Sequence, residues 1–309
     1  MLDRVTSMEV FVRVVADGSF SAAARTLALS QTMVTRHIAA LEDRLGVTLF
    51  HRSTRRLSLT EAGQDFLTGC QRILEDLESI EHEISAGGRE PRGRLRINAP
   101  VSFAVQHLAP LLPEFHRRYP KVQVELGLDD RVVDLIAQGW DLTLRIKMME
   151  ASSLRSRRLA TIRFAVCAAP SYLQSRGTPA TIAELTHHTC LGYTLSDDVG
   201  IGRWHFGHDG KAQVQVSGPL TANNGDVLRE AAIAGMGIIY QPLFIMADAI
   251  RDGTLKILQL DVPPIEGPEL LAVYAPTSVV PLKTRAMIDY LVEAFGPVPP
   301  WETGLPEMP

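Results

Sequence analysis

Apolar residues in the first 60 positions recur at helical spacing in three runs, each closed by a turn signal. Met8, Phe11, Val12 and Val15 make one stripe that stops at Asp17-Gly18, which predicts a helix from Met8 with one buried face and a glycine end. Ser19 can cap a second helix running from Phe20 to Leu27, whose alanines let a neighbouring helix come close. Ser30 can cap a third, from Gln31 to Leu45, ended by Gly46, with Val34, Ile38, Leu41 and Leu45 on one apolar face. Behind Ser30 the opposite face carries Gln31, Thr32, Thr35 and Arg36 in its first turns. Amide, hydroxyl and guanidinium groups at that end of a helix can hydrogen-bond base edges in a major groove. Residues 49–60 are apolar at both ends and basic at the tip, as in a two-stranded wing, so Arg52, Ser53, Arg55 and Arg56 would lie along phosphates. Singly, an alanine-rich helix pair is core packing and a basic hairpin a solvated surface; their order and spacing together predict a winged helix-turn-helix that binds double-stranded DNA.

Past Thr60, Phe66, Cys70, Ile73, Leu77, Ile80 and Ile84 recur in alternating steps of four and three, a heptad seam. Two readings fit: a linker helix that pairs two chains, or an amphipathic helix packed on its own domain. On either, Cys70 is a seam residue. Gly, Pro and charge concentrate at 86–93 and mark a domain boundary.

Beyond it, strand-like and helix-like patterns alternate. Leu95 to Asn98 reads as a strand, 103–119 as a helix, and Val122, Val124, Leu126 and Leu128 as a strand. Val132, Val133, Leu135 and Ile136 read as a helix, and Asp141 to Ile146 as the next strand. A second unit begins near Phe164 and runs through Tyr193, Val214 and Val216, a helix from Asp226 to Ala234 and a strand from Gly237 to Tyr240. Leu270 to Tyr274 and a helix at 281–295 return to the first unit. Such alternation makes an α/β layer with ligands at the carboxyl ends of the strands.

Composition adds the sign of each part. The whole chain of 309 residues carries a net charge of -4, which argues against binding nucleic acid by bulk charge. Residues 1–60, however, hold eight Arg against five acids, whereas 61–90 hold two Arg against eight acids. A basic head is thus followed by an acidic helix that would repel phosphates. The three cysteines, Cys70, Cys167 and Cys190, have no C-x-x-C spacing and fit a reducing cytosol. The N-terminus has no apolar signal region, and the uncharged run is too short and too interrupted by Gly and Pro to span a bilayer, so no membrane role is expected.

The residues Phe11-Val12, Gly18 to Ala24, Leu29-Ser30-Gln31, Ile38, Leu41-Glu42, Leu45-Gly46, Leu49-Phe50, Arg52 and Leu59 to Gly63 resemble the N-terminal domain of LysR-type transcriptional regulators. Thr32 and Thr35 depart from it, since the family often has Pro or Ser at the first and Ser at the second. Gly93 to Arg96, Ala99-Pro100, Leu108 to Pro110, Phe115, Tyr119-Pro120 and Asp141-Leu142 are similar to the same family's effector domain. The resemblance implies an α/β chain with a winged helix-turn-helix at 1–60, a linker and dimerisation helix at 61–87 and a hinge at 88–93. A two-lobed, periplasmic-binding-protein-like effector domain would fill 94–300, with lobe I at 94–161 and 267–300, lobe II at 162–266, crossovers near 159–164 and 262–268, and a tail at 301–309.

Family effectors bind between the lobes. Mapped onto this chain, the cleft candidates are Ser102, Phe103, Arg145, Lys147, Tyr193, Asn223, Asn224 and Gln241. Helix N-termini near Ser102 and Asn224, with Arg145 and Lys147, would favour a small carboxylate. The competing reading makes Ser102 and Asn224 helix caps and pairs Arg145 with an acid elsewhere; Lys147 stands where related sequences commonly have Gly.

No G-x-S-x-G, P-loop or H-E-x-x-H motif occurs, and Gly235-x-Gly237 lacks a third glycine, so neither enzyme activity nor a cofactor is expected. His187-His188-Thr189-Cys190 and His205-Phe206-Gly207-His208-Asp209 lack a fourth metal donor and read as surface histidines. The expected protein is a cytoplasmic regulator whose partners are promoter DNA, a small effector, further copies of itself as a homodimer or homotetramer or higher, and RNA polymerase.

Overall fold

The computed structural model describes residues 2–51, 57–84, 90–147, 154–196, 201–276 and 280–306. The chain divides into two compact units, Met1–Arg89 and Glu90–Pro309.

The first unit packs three helices, α1 (Arg4–Asp17), α2 (Phe20–Thr26) and α3 (Gln31–Leu45), with the two-residue strands β1 (Phe50–His51) and β2 (Ser58–Leu59) and the long helix α4 (Glu61–Ile84). Each of the first three begins on a side-chain cap: Asp3 accepts the Thr6 N–H, Ser19 that of Ala22 and Ser30 that of Met33. Gly18 and Gly46 end α1 and α3 at positive φ. The Asp3 cap starts α1 four residues before the predicted Met8, and its buried stripe is Ser7, Val10, Phe11 and Val14. In α3 Leu45 is 42% exposed instead of buried, and His37 takes the inner position. Its Nδ1 lies 2.9 Å from Ser7 Oγ, which donates to Asp3 O at 2.7 Å. Phe11 is the centre of this core, with its ring 5.3 Å from both Phe50 and Phe66.

In the second unit a five-stranded sheet, ordered β4-β3-β5-β14-β6, forms lobe I. It comprises β3 (Gly93–Ala99), β4 (Val122–Leu128), β5 (Leu142–Lys147), β6 (Arg155–Thr161) and β14 (Glu269–Tyr274). The helical segment 101–118 joins β3 to β4: α5 (Val101–Phe103), a π-wound stretch (Ala104–Leu108), a 3-10 turn (Ala109–Leu111) and α6 (Leu112–Arg118). Lobe II is built around β7 (Phe164–Ala168), which lies between β12 (Ile239–Pro242) and β13 (Lys256–Ile257). It also carries α7 (Pro170–Arg176), β8 (Gly192–Tyr193), β9 (Arg203–Phe206), β10 (Ala212–Gln215), β11 (Thr221–Ala222), α8 (Gly225–Ile233) and α9 (Leu243–Arg251). After β14, α10 (Leu282–Phe295) returns to lobe I.

The chain crosses between lobes twice, at 162–163 and before β14. The two crossings touch: Ile162 N–H donates to Pro268 O at 2.9 Å, and a Cβ on Gly267 would stand 1.6 Å from Ile162 O. Only glycine allows that approach.

Residues 131–139 do not form the predicted helix: 132–134 are irregular and 135–139 make a turn. Burial alternates there: Val132 is 77% exposed and Ile136 also points out, whereas Val133 and Leu135 are buried. The Asp134 carboxylate accepts the N–H groups of Ile136 and Ala137, and Arg145 donates to Val133 O. Side chains thus capture backbone groups that a helix would have paired. Trp301, assigned by sequence to a tail, is 2% exposed and belongs to the fold.

Burial holds the His107 imidazole below its ordinary value of 6.5, and its Nε2–H donates to Phe244 O at 2.9 Å. His188, near Tyr172, is shifted in the same direction for the same reason. Both take up protons more readily in the unfolded chain, so their contribution is complete above pH 6.5 and is lost as pH falls below it. The thermal midpoint of the second unit is expected to drop between pH 7 and about 5. His107→Gln should flatten that slope in a melting series.

Candidate DNA-reading face and ligand cleft

The α3 face offered for base contact is open. Ser30, Gln31, Thr32, Thr35 and Arg36 are all exposed, while Val34, His37, Ile38 and Leu41 face the core. Two of the five are already fixed locally. Ser30 Oγ accepts the Met33 N–H at 3.2 Å, and Thr35 Oγ1 donates to Gln31 O at 3.0 Å. The Thr35 hydroxyl therefore presents lone pairs outward, and Gln31, Thr32 and Arg36 keep their side-chain donors for a partner. The strands β1 and β2 pair antiparallel, with Phe50 opposite Leu59, as a wing requires. Arg52, Ser53, Arg55 and Arg56 at its tip lie outside the described residues.

The heptad positions of α4 divide. Phe66 and Cys70 pack into the head's own core, where Cys70 is buried and its thiol is pushed up to about 11. They are internal packing, not seam positions open to a second chain. Ile73, in contrast, is 45% exposed and Leu77 half-buried; the side chains of Ile80 and Ile84 lie outside the description. The sequence periodicity thus spans two environments, because a stripe that packs on a head and a stripe that packs on a partner have the same spacing.

Between the lobes of the second unit lies a cleft of about 470 Å³. Its walls combine apolar side chains, Val133, Leu144, Ile146, Phe164, Phe244 and Ile245 among them, with polar and charged ones that include the acids Asp129, Asp130 and Glu266. Of the cleft candidates, Ser102, Arg145, Lys147, Tyr193 and Gln241 line it. Phe103 does not: it is fully buried against Phe244, Phe295 and Trp301. Adjacent residues on a helix point about 100° apart, so Ser102 in the cleft places Phe103 in the core. Asn223 is exposed and absent from the lining. Asn224 caps α8 through Oδ1, while its Nδ2 reaches Ser102 Oγ and Asp130 Oδ2, both at 3.4 Å.

The helix start near Ser102, expected to attract an anion, already holds one. Asp130 Oδ1 accepts the Val101 N–H at 2.8 Å. Nothing in its local sequence marks Asp130 for this role, which depends on β4 ending beside β3.

Two buried donors of the lining have an unpartnered atom. Gln241 is 1% exposed, and its Nε2 has no hydrogen-bond partner among the described residues. It projects from β12 opposite Ala165, beside Gly225, where a Cβ would come within 2.9 Å of its Oε1. Arg145 is held by Nη2 on Val133 O, and its buried Nε is likewise unpartnered. Burial works against the Arg145 charge, with Asp134 opposing. Burial and the Asp130 charge push the Tyr193 phenol up to about 12, so it stays a neutral donor. A buried donor without a partner costs about 1–3 kcal/mol, which a ligand acceptor would recover.

Two family descriptions match this chain: "Bacterial regulatory helix-turn-helix protein, lysR family" over residues 5–64 and "LysR substrate binding domain" over 88–296. Among curated relatives it is 36% identical over 289 residues to the HTH-type transcriptional regulator CrgA of Neisseria meningitidis, covering 94% of this chain and 96% of that protein. The chain belongs to the LysR family of transcription regulators. It is also 35% identical over 299 residues to the transcriptional activator AaeR of Escherichia coli, covering 95% of this chain and 94% of that protein. The solved structure of CrgA superposes with a TM-score of 0.61 at 34% identity, covering 94% of this chain and 99% of that one. LysR regulators are DNA-binding proteins with an effector domain and are not enzymes, in agreement with the exposed α3 face and the cleft. Among the described residues no helix is long and apolar enough to cross a membrane, and no group of three or more metal-ligating side chains occurs.

Proposed function

We propose that this LysR regulator reads promoter DNA through α3, grips phosphates through the wing, and changes its assembly when a small organic anion fills the cleft. The observation that carries the ligand half is the pair of buried, unpartnered donors, Gln241 Nε2 and Arg145 Nε, in a cleft with partly apolar walls. A compact carboxylate with an apolar body satisfies both. It binds at Gln241 and Arg145 and not at the helix start, where Asp130 already sits. Two copies pair through the exposed part of α4 beyond Cys70, which sets two α3 helices on half-sites about one helical turn or a multiple apart. RNA polymerase contact and a cytoplasmic location belong to the same reading. The ligand acts only through a difference in its affinity for the two assemblies.

The DNA half is tested by two variants in a binding titration. Arg36→Ala is expected to cost about 1–3 kcal/mol on the specific site and little on scrambled DNA. Arg55→Ala should weaken binding to every sequence and lower the salt slope by about one. Unchanged binding in both would move the interface elsewhere. For the ligand half, a panel of small carboxylates is screened for a rise in thermal midpoint. The rise should vanish in Gln241→Leu and Arg145→Met; a rise that persists in both would place the anion outside this cleft.

A further inference from the structure

The family's effector-domain match ends at 296, but the fold does not. After Gly296 the chain reads Pro297-Val298-Pro299-Pro300-Trp301-Glu302, and a short 3-10 turn (Pro300–Glu302) carries Trp301 into the interior. The indole is flanked by rings from both lobes. Phe103, His107 and Phe295 of lobe I lie 5.6, 4.8 and 5.2 Å from it, and Phe244 of lobe II lies 6.3 Å away. Phe244 also forms part of the cleft wall.

Polar contacts fasten the same segment to lobe II and to the crossing. Arg251, at the end of α9, donates from Nη2 to Trp301 O at 2.9 Å and Pro300 O at 3.2 Å, and from Nε to Thr303 O at 3.0 Å. Its Nη1 is meanwhile held by Asp248 at 2.6 Å. Glu302 pairs with Arg163 at 3.3 Å, and Arg163 lies on the first crossing between the lobes, where its carbonyl accepts the Leu243 N–H of α9 at 2.8 Å. Prolines at 297, 299 and 300 reduce the freedom the segment loses on docking.

We infer that the segment 297–306 is an interlobe strap: Trp301 wedges between the first helical segment and α9, Arg251 and Arg163 anchor it, and it limits how far the cleft can open. Besides the two crossings, the lobes meet directly where the helical segment 101–118 faces α8 and α9, through His107 on Phe244 O and Gln106 on Asp226, and two-lobed proteins open and close about such crossings when contacts of this kind part. A strap that holds α10 of lobe I, α9 of lobe II and the crossing at once restrains that motion further, on the same side as these contacts. The inference concerns how the lobes are held and does not depend on which ligand the cleft takes.

The test uses the full-length protein with spin labels on Gln123→Cys of β4 and Gln174→Cys of α7, both exposed and on different lobes, while the three native cysteines are buried. Diluted with an excess of unlabelled protein, so that only pairs within one chain are read, the parent should give one narrow interlobe distance. Trp301→Ala should broaden the distribution or add a longer population, and should raise amide exchange in 101–118 and α9 at least tenfold over that in β7. If Trp301→Ala does not fold, Arg251→Gln carries the test, since it removes the main-chain anchors but no core volume. A distance distribution identical to the parent's in a folded variant would overturn the strap. So would a uniform rise in exchange across the whole unit, which would make Trp301 ordinary core.

Discussion

Phe11→Ala is expected to unfold the DNA-binding head while leaving the second unit folded. The ring is fully buried and touches Phe50 at the base of the wing and Phe66 on α4, so one side chain joins α1, β1 and α4. Truncating a phenylalanine in such a position costs about 3–5 kcal/mol, a large part of the stability of a unit this small. The cores of the two units are separate clusters. Calorimetry should therefore show the head transition shifted or lost and the second unit's transition within a degree or two of the parent's. Specific DNA binding should disappear with the head. A coincident fall of both transitions would mean that the units do not unfold independently.

The second large effect is expected at Lys283, at the other end of lobe I from the cleft-facing strand ends. Its side chain is 5% exposed; the ammonium donates to Arg94 O and pairs with Asp141 at 3.2 Å, pinning α10 against β3 and the start of β5. Asp141 also accepts the Arg96 N–H at 2.8 Å. Removing the ammonium leaves the Asp141 carboxylate, 19% exposed, without its cation, so Lys283→Met should cost about 1–3 kcal/mol by denaturant unfolding. The double variant Lys283→Met, Asp141→Asn should recover part of that, because no unpaired charge remains. A single variant as stable as the parent would show that the pair contributes little beyond packing.

The legible parts of this chain were those whose causes are local. Ser19 and Ser30 cap the helices that follow them, and Gly18 and Gly46 end theirs, because capping is settled within four residues. Asp3 followed the same rule but lay outside the first apolar stripe. The failures have distant causes. Residues 131–139 contain a helical spacing of apolar positions, but Asp134 and Arg145 capture the backbone instead. Asp130 acts on Val101, a residue 29 positions away, so its occupation of the helix start required the β3 and β4 pairing to be seen. Trp301 lacked any periodic context, and of its ring partners only Phe295 is near in sequence, the others lying in the helical segment 101–118 and in α9. Within the cleft, Arg145 and Gln241 were reached only by mapping the family's effector site onto the chain, whereas the apolar lining looked like ordinary core.

The α3 face is expected to read a specific duplex. The most direct measurement is a mobility shift of the full-length protein on the DNA upstream of its own gene against a scrambled duplex at physiological salt, with Arg36→Ala alongside. Selective retention of the native duplex, lost in the variant, is the predicted result. Equal binding to both duplexes, unaffected by Arg36→Ala, would contradict it.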